Sequence, residues 1–129
     1  MHLSTNKDPS PGALIQRQLD AYNAKDPVAW LATYAVDARQ LLLHGEVLAA
    51  GHEQMRSRIT ERFAEPDLQA ELLSRIVMNN IVVDHELVTR NFPDGKGSIA
   101  MLCVYEVMDG LIQTASFAMG EKRFLLSAL

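Results

Sequence analysis

The chain of 129 residues is one domain by size and long enough to bury a core. Its 48% hydrophobic and 22% charged content suits a globular protein, and its net charge of −4 leaves no basic surplus for nucleic-acid backbone binding. No apolar run approaches the roughly 18 residues of a membrane span, and the single cysteine, Cys103, excludes an internal disulfide.

Residues 1–12 hold serine, asparagine, proline and glycine without the apolar stretch of a signal peptide, and read as a flexible arm. With one thiol and no leader, a cytoplasmic setting is expected. From Ala13, the three- and four-residue steps between Leu14, Ile15, Leu19 and Tyr22 predict a helix. "AKDPVAWLATY" starts a second, with Asp26 as cap and Pro27 at its first position, and presents Val28, Trp30, Leu31 and Tyr34 on its apolar side. Residues 39–46 read as a strand. Gly51 opens a third helix whose stripe is Met55, Ile59 and Phe63, with its arginines outward, and Pro66 prevents its continuation.

Beyond Leu68 the pattern becomes four strands, with turns at Asn79-Asn80, at Pro93-Asp94-Gly95 and at Asp109-Gly110. The order, three helices with one strand among them and then a four-strand meander, predicts an α+β domain with its helices segregated from an antiparallel sheet. In "IAMLCVY", residues 99–105, every position is apolar, so both sheet faces should be covered. Helices can cover one. A second copy of the chain is the expected cover for the other, giving a homodimer through the outer sheet face.

"LIQRQLDAYNAKD", "YAVDA", Gly51, "NNIVVDHE", "YEVMDGLI" and "FAMGEK" occur in an order that resembles the nuclear-transport-factor-2-like superfamily, in its ketosteroid-isomerase and SnoaL-like (polyketide cyclase) branch. The resemblance covers about residues 13–123, leaving residues 124–129 as a C-terminal tail. It implies a cone-shaped fold in which a bent sheet wraps the helices around an apolar cavity. It also implies, for the isomerases, a carboxylate base on the first strand and an oxyanion hole made by a first-helix tyrosine and a late-strand aspartic acid. Those three positions fall on Leu42, which cannot take a proton, Gln18, which offers only a neutral amide donor, and Cys103, a weak donor, so isomerase chemistry by that mechanism is expected to be absent.

Strand alternation puts Gln40, Leu42 and His44 on one face. The resemblance suggests that Ile81, Val83, His85 and Leu87 point inward from the next hairpin, with Asp84 and Glu86 outward, where Arg75 can pair with them. His85 and His44 are then candidate general bases, although a histidine on an apolar face is more often a satisfied core residue. A ligand-binding wall is expected from Trp30, Tyr34, Leu42, Met55, Ile59, Met101, Cys103, Phe117 and Met119, each of which is singly more often plain core. No metal site or cofactor is expected, since the histidines lack ligand spacing. The expected function is a cavity for a small apolar molecule. The alternatives are an isomerase, cyclase or hydratase acting on an apolar carbonyl compound, and a protein-interaction domain.

Overall fold

The computed structural model describes residues 9–125. Helix α1 (Pro11–Asn23) begins two residues earlier than the arm suggested. Ser10 caps it by accepting the Ala13 N–H at 3.2 Å, and Pro11 supplies a first turn that needs no donor. The rest of the expected arm, residues 1–8, lies outside the described residues, as do residues 126–129 of the tail. Helix α2 (Pro27–Leu31) is capped by Asp26, which accepts the Ala29 N–H at 3.0 Å. It stops before Tyr34, which instead begins strand β1 (Tyr34–Leu42). The Thr33 hydroxyl donates back to the Trp30 carbonyl at 2.7 Å and marks the break.

A short strand β2 (Val47–Ala50), not separated in the sequence reading, leads into α3 (Gly51–Phe63). Four strands follow: β3 (Gln69–Met78), β4 (Ile81–Phe92), β5 (Gly95–Met108) and β6 (Leu111–Phe124). Their turns fall where the sequence put them. Asn79 and Asp109 take positive φ of 53° and 52°, which short polar side chains tolerate. Phe124 ends β6 with its ring 5.8 Å from that of Phe92, so the described start of the tail is strand.

The six strands form one sheet in the order β2-β1-β6-β5-β4-β3. It is mixed, because β1 runs parallel to β6 while every other pairing is antiparallel. Register shifts at Leu72/Ser74, Ile99/Met101 and Glu106/Val107 are bulges, the ordinary device for bending strands. The α+β class with helices inside a curved sheet is as the sequence predicts.

Alternation along β4 runs opposite to the expectation. Val82, Asp84, Glu86 and Val88 are buried, whereas Ile81, Val83, His85 and Leu87 lie half-buried on the outer face. The predicted pairing of Asp84 with Arg75 does occur, but on the inner side. The guanidinium binds both carboxylate oxygens, at 2.6 and 2.8 Å, and also donates to Gln16 of α1 at 2.9 Å. That paired charge is what lets a strand turn its acids, rather than its apolar residues, towards the helices.

Candidate functional site

The inner sheet face and the three helices enclose a cavity of about 190 Å³. Its apolar wall includes Trp30, Tyr34, Ile59, Met101, Cys103, Phe117 and Met119, all expected from sequence. Two other expected members are elsewhere. Met55 is fully buried in the core, and Leu42, at the end of β1 beyond a register shift, leaves Tyr34 and Gln40 as that strand's lining residues. His44 sits exposed in the turn after β1 with φ 56°, and His85 is on the opposite sheet face. Neither expected base reaches the cavity. Among the described residues no three His, Cys, Asp or Glu side chains converge as a metal would require.

The ionisable group that does line it is Glu86. Burial, with the Asp84 charge second, pushes its carboxyl up to about 7, opposed by Arg75 and by the nearby Cys103 thiol. Burial also raises the Cys103 thiol well above its ordinary value, so it stays a weak donor and not a nucleophile. Deeper in, the Tyr105 hydroxyl donates to Gln18 Oε1 at 3.3 Å, so Gln18 serves as an acceptor there.

Two buried donors in the wall have no partner: Trp30 Nε1 and the Tyr34 hydroxyl. Their rings pack 4.7 Å apart, and His52 Nε2 donates to the Tyr34 carbonyl at 2.8 Å, which ties α3 to the start of β1. Burial raises the Tyr34 pKa so far that the hydroxyl keeps its proton; Gln40 opposes this weakly from outside hydrogen-bonding geometry. An unpaired buried donor costs about 1–3 kcal/mol, so the wall holds two standing invitations to an acceptor atom.

One side of the cavity is cationic. Arg58 and Arg62, one turn apart on α3 and beside Ile59, line it with Arg90 of β4, so only part of the expected outward arginine face exists; Arg56 keeps it. Glu65 accepts from Arg90 Nε at 2.8 Å and from a terminal nitrogen of the same group at 2.7 Å. It also lies 3.5 Å from Arg62 and accepts the Asn91 N–H at 2.9 Å.

Sequence reasoning missed Glu86, Arg58, Arg62 and Arg90, and put Gln40 on the face of Leu42 without naming it as a lining residue. A signal for part of this was present: a two-residue turn at Asn79-Asn80 fixes Arg75 opposite Asp84, the pairing that is observed.

A profile of the SnoaL-like domain matches residues 15–115. The fold is similar to that of an uncharacterised cystatin-fold protein from Novosphingobium aromaticivorans, at TM-score 0.79 and 24% identity over 84% of this chain and 97% of that one. It is similar to a nuclear-transport-factor-2-like protein of unknown function from Cytophaga hutchinsonii, at 0.75 and 14% over 92% and 95%. A third likeness, at 0.70 and 12% over 81% and 83%, is to a ketosteroid-isomerase-like protein from Catenulispora acidiphila solved with trimethylamine. At these identities the likeness concerns the fold alone. No curated protein matches the sequence.

Proposed function

Since the chain belongs to the SnoaL-like domain family, we propose that its cavity takes a small, largely apolar carbonyl compound and that Glu86 moves a proton on it. The observation that carries this reading is the meeting, in one cavity, of a carboxyl poised at about 7 and two unpartnered buried donors. A group titrating near neutrality can both take and return a proton. In the step proposed, Glu86 accepts the proton from a carbon next to the carbonyl. The C–H electron pair becomes the enolate double bond, and the charge that builds on oxygen is met by Tyr34 O–H and Trp30 N–H. Return of the proton to the same or a conjugated carbon completes exchange or isomerisation without a co-reactant. Glu86 thereby replaces His85 and His44 as the candidate base.

The test needs no knowledge of the natural substrate. Small apolar ketones in D₂O, followed by NMR, should exchange their α-hydrogens with the wild-type protein and not with Glu86→Gln. Ketones that bind without any exchange would make this a binding domain rather than an enzyme.

We also propose that a second copy covers the outer sheet face. Support comes from its apolar make-up: Ile76 is 66% and Leu102 44% exposed, next to half-buried Val83, His85 and Val104. A reducing, cytoplasmic setting suits the free thiol of Cys103. None of the helices among the described residues is long and apolar enough to cross a membrane.

A further inference from the structure

The three arginines that line the cavity are not equivalent. Arg90 and Arg62 share the Glu65 carboxylate, which leaves neither without a counter-charge. Arg58 has no such partner among the described residues. Its recorded contact is a 3.3 Å bond from one terminal nitrogen to the neutral amide oxygen of Gln40, itself a lining residue. Glu61, three residues on along α3, shares the adjoining groove with Arg58 but lies outside ion-pair distance of it.

A guanidinium keeps its charge in any protein setting, and burying it without an anion is costly. Burial first, then the neighbouring Arg62, lower the Arg58 pKa, and the more distant Glu61 opposes them without reversing the direction. Arg58 lines the cavity beside the apolar side chains of Trp30, Ile59 and Phe117, and the acid on that wall, Glu86, is the one burial disfavours in its charged form.

We infer that the molecule bound in the cavity carries a carboxylate beside its apolar body, and that Arg58 is the residue that recognises it. This rests on the reading that the cavity binds a small molecule, and it narrows the carbonyl compound to an apolar keto acid. One unpaired planar fork matches one planar monoanion. A phosphate dianion would call for a second open cation, and Glu65 has already claimed the other two.

Three probes of one shape decide it by titration calorimetry: 3-phenylpropanoate, its amide, and 2-phenylethyl phosphate. The acid should bind wild type about tenfold or more tightly than the amide, the range of a charge-assisted hydrogen bond. That preference should vanish in Arg58→Gln and persist in Arg56→Gln, an exposed arginine on the same helix. In wild type alone, the Arg58 Nε–H resonance should shift with the acid and not with the amide, which keeps the test decisive if the variant does not fold. Equal binding of acid and amide, an acid preference that survives Arg58→Gln, or tighter binding of the phosphate overturns the inference and leaves the cavity reading standing. A cavity that takes none of the three sinks both.

Discussion

Asp84 and Glu86 project from the same face of β4, two residues apart, yet Arg75 holds only Asp84 in an ion pair. The pair commits one carboxylate to Arg75 through both of its oxygens. Burial first, and the neighbouring Asp84 second, make ionisation of Glu86 expensive. The two acids thus have different jobs: one is structural and the other is left available.

Replacing Glu86 by glutamine should stabilise the protein at pH 8. The folded pKa of about 7 lies above the ordinary value of 4.5, so the folded state binds more protons between them and the wild type loses stability as pH rises through that window. The gain should be on the order of 3 kcal/mol at pH 8 and disappear by pH 4. Thermal unfolding at both pH values checks it; an equal shift at both would mean the glutamate does not titrate as described.

Asp84→Asn should move the pH midpoint of α-hydrogen exchange below 7. It removes a repelling charge and releases Arg75 to act on Glu86. It should also destabilise the fold by about 1.5–3 kcal/mol, because the half-buried Arg75 loses a charge-assisted, two-pronged partner. A pH–rate profile of the exchange reaction reads the first effect and urea unfolding the second. An unmoved midpoint would show that Asp84 has no hold on the site.

For Tyr34→Phe, stability and function should part company. The hydroxyl is buried without a partner, so its removal should raise stability by about 1 kcal/mol. The same change should cut the exchange rate at least tenfold by removing a donor to the enolate. Loss of stability instead would reveal a bond to this hydroxyl in the folded protein.

Leu102→Glu places a charge on the outer face without touching the cavity. Sedimentation equilibrium should find wild-type dimer and mutant monomer. His85→Ala, from the strand paired beside it, should leave the pH profile of exchange unchanged; a profile that loses its neutral midpoint would return His85 to the chemistry.

Most of the architecture was legible because it rests on local signals. Ser10, Asp26 and Pro27 start helices; Asn79 and Asp109 turn hairpins; Pro66 follows the last helix. The parity of β4 was not. Its outer residues Ile81, Val83 and Leu87 are more apolar than the inner set, so hydrophobic alternation points the wrong way when the acids are paired and the outer face is itself apolar. Leu42 failed for a similar reason, since the shift between Gln40 and Leu41 ends simple alternation just before it. The arginine side of α3 was lost because Arg58 and Arg62 flank the apolar stripe, where a long side chain can turn towards either water or a cavity.

The parallel pairing of β1 with β6 has a consequence for biosynthesis. The helices and the hairpins β3–β4 and β4–β5 use contacts available as the chain emerges, but β1 must wait for the last strand before its inner edge is satisfied. A nascent chain halted before residue 111 therefore carries Glu86 and Arg58 but no closed chamber around them. Strand β6 acts as a checkpoint: whatever chemistry the domain performs begins only after that strand has emerged and paired with β1 and β5.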